Sequence, residues 1–270
     1  MGELICAIHQ PNFFPRLSTL AKLYTADIWI ILDDVQFARR DYQHRCQIAA
    51  AGDAGPPQRW LTIPVHLPAG RDTLIRDVQV AEAAATARRV PDILRQYYKH
   101  GPHGNVVLGL LARLRDTLAS CGRLADVTEP TTTEMMRLVG WPGVIHRSSD
   151  LGVRSSERSE RLADLASTVG AATYLCGTGG SRYLDPMPFK ARGLRVVMFK
   201  PPRNPEGVAG RDVNRLTGLS DLAEVGPLAL AAQLGEHART WRETRADDHA
   251  LEHDDPAARS GSRDFHRRDT

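Results

Sequence analysis

A chain of 270 residues with 42% apolar and 25% charged side chains has the composition of a soluble globular protein and the length to bury a real core. Its formal charge of +3 is unevenly spread, because Trp241 to Thr270 holds six Arg against eight Asp and Glu and leaves +5 on the remainder. That density excludes a dedicated nucleic-acid binder but suits an anionic small molecule, or a donor carried on phosphopantetheine or tRNA. Cys6, Cys46, Cys121 and Cys176 form no C-x-x-C pair, which excludes the usual zinc and disulfide frameworks and fits a reducing compartment. No apolar run approaches the ~20 residues that cross a bilayer, and Leu4 to Ile8 is too short for a secretory core. A cytoplasmic protein without membrane association is the expectation.

In chain order, Leu4 to Ile8 and Asp27 to Leu32 read as short buried strands. Between them Leu17, Leu20, Ala21, Leu23 and Tyr24 recur at helical spacing behind Pro15. These pieces predict a βαβ unit with parallel strands. A third strand is expected at Trp60 to Val65, after a turn at Gly52 to Pro57, and a weaker one at Ile75 to Val80. Helices are expected over Glu82 to Tyr98, started or kinked at Pro91, over Asn105 to Ala119, and over Thr132 to Val139. The strand pattern resumes at Val144 to Arg147, Thr173 to Gly177 and Leu194 to Phe199. A helix spans Ser156 to Val169, with Ser155 or Ser156 as cap. The prediction is one α/β domain over residues 1–240, with a mainly parallel sheet flanked by helices and a helical insertion at about 82–140. Residues 241–270 are expected to form a disordered tail.

Ligands of open α/β sheets bind beyond the carboxyl ends of strands, and three polar segments fall there. His9, Gln10 and Asn12 follow the first strand. His9 suits a general base or a hydrogen-bond donor, or else merely shapes the Pro11 turn. Asp33 and Asp34 end the second strand, followed by Gln36. Adjacent carboxylates on an extended chain point apart, so they make no acid–base dyad, and no metal-ligand set accompanies them. Arg39, Arg40 and Arg45 follow, of which Arg45 is the candidate for a phosphate or carboxylate. Gly177, Thr178, Gly179, Gly180 and Ser181 end the later strand, either as an anion-binding backbone nest or as a tight turn. Cys176 just before them is a candidate nucleophile, although a buried strand thiol is more often inert.

The run His9-Gln10-Pro11-Asn12-Phe13-Phe14-Pro15 resembles the WbqC-like family. So do Ala26-Asp27, Leu32-Asp33, Val35-Gln36-Phe37, Arg45, Trp60 to Val65, Glu160-Arg161-Leu162, and Tyr174 through Gly180 to Asp185. The likeness covers most of residues 5 to 200. It departs from the family pattern at His44, at Arg16 and after Lys200. Members occur in O-antigen and natural-product clusters, and the resemblance implies aminoacyl transfer of the glycine type. The expected function is therefore amide formation, by aminoacyl or acyl transfer to a small-molecule amine. The activated donor would come from a carrier protein or an aminoacyl-tRNA. His9 and Asp33 would be catalytic, and Gln10, Asn12, Gln36, Arg45 and the glycine segment would bind substrate. Two alternatives stand beside it, an ATP-dependent adenylyl-transferring enzyme and a non-catalytic carrier or scaffold protein.

Overall fold

The computed structural model describes residues 3–50, 58–120, 122–180, 183–202 and 215–252. Strand β1 (Ile5–His9) leads through helix α1 (Leu17–Thr25) to β2 (Ile28–Ile31). The strands pair in parallel, with Cys6 opposite Ile28 and His9 opposite Ile31, so the expected βαβ unit is present. Ile5, Ala7, Trp29 and Ile31 enter one core, and Cys6, Ile8, Ile28 and Ile30 the other. A sheet covered on both faces needs strands that are apolar at every position, and neither strand alternates with polar residues.

The next strands leave that sheet. Strand β3 (Arg45–Ile48) pairs antiparallel with β4 (Arg59–Thr62), and β5 (Val65–His66) with β6 (Gln79–Val80). The strand expected over Trp60 to Val65 is therefore split at Ile63-Pro64, where proline has no N–H to carry a ladder onward, and its halves serve two small hairpin sheets. Half of Ile75 to Val80 is a 3-10 turn, Ile75–Asp77, and the strand there is confined to Gln79–Val80. The turn expected at Gly52 to Pro57 lies outside the described residues.

The helical insertion comprises α2 (Ala83–Tyr98), α3 (Gly104–Arg113), α4 (Arg115–Ser120) and α5 (Ala125–Leu138). Pro91 lies within α2 without ending it. The helix expected over Asn105 to Ala119 is broken at Leu114, and α5 starts at Ala125 instead of Thr132. All four helices share the α1 side of the sheet through one core that includes Val90, Leu94, Val107, Leu118, Val127 and Met135.

The chain then returns through β7 (Val144–Arg147), α6 (Arg158–Thr168), β8 (Thr173–Cys176), α7 (Met187–Ala191), β9 (Arg195–Met198) and α8 (Leu219–Glu252). The cap of α6 is Glu157, whose carboxylate accepts from the Glu160 N–H at 2.8 Å; Ser155 instead donates to Asp164. Helix α8 is interrupted at Gly226, where φ is +77° and a Cβ would stand 2.8 Å from the His103 ring. It continues past residue 241, and Arg242 donates to the Thr25 carbonyl and pairs with Asp27 at 2.8 and 2.9 Å. Of the tail expected from residue 241, the part through Glu252 continues α8, and Arg242 ties its start to α1 and the turn after it.

The main sheet has five parallel strands in the order β7-β2-β1-β8-β9, an α/β domain with helices on both faces. The chain builds outward from β1 to β2 and β7, then returns to place β8 and β9 on the other side. The order reverses between β1 and β8, the kind of switch point where open α/β sheets form a crevice for ligands. The ladder there is short. β1 and β8 pair only at Ile5–Thr173 and Cys6–Tyr174, whereas β1 and β2 pair over four residues.

Candidate functional site

His9 stands at the carboxyl end of β1, beside this gap. Its Nε2 lies 3.1 Å from the Asn12 amide oxygen, so Nε2 carries the proton and Nδ1 keeps its lone pair. Asn12 is itself buried, and its carbonyl accepts from Thr132 at 3.0 Å and from Thr131 at 3.4 Å, both on α5. The insertion thereby pins the turn after β1 from above. Between Asn12 and Pro15, Phe14 takes φ +44° while buried against Phe13, a conformation uncommon for a bulky residue and found where packing enforces it. Burial, with the nearby Lys22 and Arg16 cations, drives the His9 imidazole down to about 3, against the Asn12 bond that raises it. His9 is neutral at ordinary pH.

Gln10 is held by Gln43, which donates to its amide oxygen at 2.7 Å, leaving the Gln10 amide N–H groups without a partner among the described residues. Gln43 is fully buried and accepts from the Ala38 N–H. On the other strand, Cys176 is buried and its thiol is pushed up by burial, against Lys22 and Tyr174. Such a thiol stays protonated and carries little nucleophilic character. Gly177 to Gly180 form a turn closed by the Gly180 N–H on the Gly177 carbonyl at 3.0 Å. Ser181 lies outside the described residues.

Other expected residues sit apart. The Asp33 carboxylate accepts from the Ser148 hydroxyl at 3.0 Å, the Ser149 N–H at 3.1 Å and the Ser149 hydroxyl at 2.7 Å. These contacts tie the end of β2 to the end of β7, across β2 from His9, whose ring bonds Asn12. Asp34 pairs with Arg161. Gln36 donates to the Arg71 carbonyl at 2.6 Å. Arg45 donates to the carbonyls of Arg40 and Asp41 and lies 4.3 Å over the Trp60 ring. Trp60 packs on Tyr42 at 5.5 Å, and Arg16 covers Tyr42 at 4.0 Å. This four-layer stack clamps the 38–45 loop that carries Gln43.

The residue that sequence reasoning missed is Lys22. It is 4% exposed on α1, and its Nζ donates to the Ile8 carbonyl at 3.0 Å. A Cβ on Gly177 would stand 3.4 Å from that Nζ, so the ammonium sits between the carboxyl ends of β1 and β8. Burial lowers Lys22 to about 8, while the Cys176 and Cys6 thiols hold it up. The available signal was a lone lysine inside the otherwise apolar Leu20 to Leu23 run. Among the described residues no group of His, Cys, Asp and Glu is arranged for a metal ion, and no helix is long and apolar enough to cross a membrane. Cavities of about 470 and 530 Å³ lie elsewhere, along α2 and α8. The candidate site is a polar rim at the switch point.

The family model described as the WbqC-like protein family matches residues 10–207. The chain belongs to the WbqC-like family. It is also similar to the uncharacterized protein Rv1507c of Mycobacterium tuberculosis, 27% identical over 209 residues, which is 72% of this chain and 80% of that relative. No solved structure matches. The WbqC-like match takes in Gln10, Asn12, Lys22 and Gly177 to Gly180, and it begins one residue after His9.

Proposed function

We propose that this WbqC-like protein is a biosynthetic transferase that forms an amide by aminoacyl (glycyl-type) or acyl transfer to a small-molecule amine, in a natural-product or surface-glycan pathway. The observation that supports it is a neutral His9 at the switch point, with Nε2–H engaged by Asn12 and the Nδ1 lone pair left to accept a proton. The amine nitrogen attacks the donor's acyl carbon and the C–N bond forms. The ester C–O or thioester C–S bond breaks. Nδ1 takes the amine's proton and returns it to the leaving oxygen or sulfur. The Gln10 amide N–H groups and the Gly177 to Gly180 backbone hold the developing oxyanion. Donors on tRNA or a carrier protein fit the modest positive charge of the body.

The assay is incubation with aminoacyl-tRNA or aminoacyl-carrier donors and an amine acceptor, following the mass of the product. His9→Ala should lose about 100-fold or more in turnover, as expected for removal of a general base, with its circular dichroism and unfolding midpoint retained. Full activity in that variant overturns the assignment. A nucleotide-using transferase is the second reading, favoured by the two cations beside His9. Release of pyrophosphate from ATP with candidate acids would select it.

A further inference from the structure

We infer that the Lys22 ammonium anchors an oxyanion subsite in the crevice between β1 and β8, taking a carboxylate or phosphate group of the ligand. This deepens the transferase reading and rests on it for the molecule that carries that group. Lys22 is 4% exposed and has one acceptor among the described residues, the Ile8 carbonyl at 3.0 Å. An ammonium has three N–H groups, so two are left without an oxygen acceptor among the described residues, with the Cys176 and Cys6 thiols as their weakly accepting neighbours. No carboxylate pairs with it among the described residues. Cys6, Cys176 and Tyr174, the titratable neighbours on the strands, all remain protonated because of burial.

A buried cation without a counter-charge is a costly arrangement for a core residue. As a strut Lys22 is poorly placed, because a single carbonyl bond could be given up for an apolar side chain of the same length. As a receptor for an anion it is well placed. The β1–β8 ladder ends at Cys6 and Tyr174, so the strands part where the ammonium sits, and Gly177 presents no side chain between the ammonium and the rim. Burial chiefly, and this cation and Arg16 with it, hold down the basicity of His9. A bound anion offsets the cations' share and raises the imidazole's proton affinity, so the ligand would strengthen the base that acts on it.

The test uses the full chain with acetate and inorganic phosphate as probes, by calorimetry. Wild type is expected to bind at least one of them, and the tighter of the two identifies the carboxylate or phosphate source. Acetate affinity should hold level from pH 6 to 7.5, then fall by about tenfold per unit above the Lys22 value of about 8. His9 is already neutral there, and burial raises the thiols and Tyr174 above their usual values. Lys22→Met should weaken binding by about tenfold or more and unfold no more easily than wild type. Absence of binding to wild type, an affinity level through pH 10, or equal affinity in Lys22→Met overturns the inference. Failure of the transfer assay with Lys22-dependent binding intact would count against the transferase reading alone.

Discussion

Asp33, expected to be catalytic, is held in the structure by a set of hydrogen bonds of its own. Both its oxygens accept hydrogen bonds from Ser148 and Ser149, and it is 3% exposed. Asparagine at this position would turn an NH₂ group toward donors. Asp33→Asn should therefore cost about 1.5–3 kcal/mol of stability, the range for buried hydrogen bonds to a charged group, measured by urea unfolding. Turnover per folded molecule should be little changed. A variant of native stability with lost turnover would return Asp33 to catalysis. His9, Gln10 and Asn12 were legible because polar residues directly after an apolar strand mark its carboxyl end. Ser148 and Ser149 were not, since their role exists only once β7 lies beside β2. Lys22 was hidden for a related reason, because helix periodicity does not say that its face closes a gap between two strands.

At the level of elements, the turn after β8 and the strand beneath it behave as one packed unit. A Cβ on Gly180 would lie 2.9 Å from the Cys176 sulfur, and that short side chain is buried with nowhere to swing. Gly180→Ala should cost about 1–3 kcal/mol through overpacking. Adding Cys176→Ala removes the sulfur and should restore part of that loss, with a coupling energy of at least about 0.5 kcal/mol in a double-mutant cycle. Cys176→Ala alone should keep transfer activity; its loss would show that the thiol reacts. The main strands and their parallel pairing were readable because buried parallel strands are uniformly apolar. The strand at Trp60 to Val65 was misplaced, since a local pattern does not reveal whether a segment joins the central sheet or a separate hairpin. The α8 helix past residue 241 was missed because its composition resembles a solvated tail, while Arg242 finds its partners on distant Thr25 and Asp27.

Across the whole molecule, several buried basic groups share one consequence for stability. His9 is lowered to about 3 and His44 to about 4, each chiefly by burial, and His237 is also lowered by burial. In the unfolded chain these imidazoles titrate near ~6.5. Below that pH the unfolded state takes up protons that the native state refuses, so stability falls with pH. The stabilisation is complete above about pH 6.5 and drains away toward pH 4 to 3. Most carboxylates stay charged in both states over the upper part of this window. Glu129 works the other way, because burial raises it despite its bonds to Arg147. Urea unfolding between pH 7 and 5 should then show uptake of about two protons, and His44→Phe should remove close to one of them. Retention of the full slope in that variant would place the acid sensitivity outside these histidines. A midpoint independent of pH down to 5 would mean that the rim is already hydrated enough to charge His9, and the neutral imidazole on which the proposed chemistry depends would be lost with it.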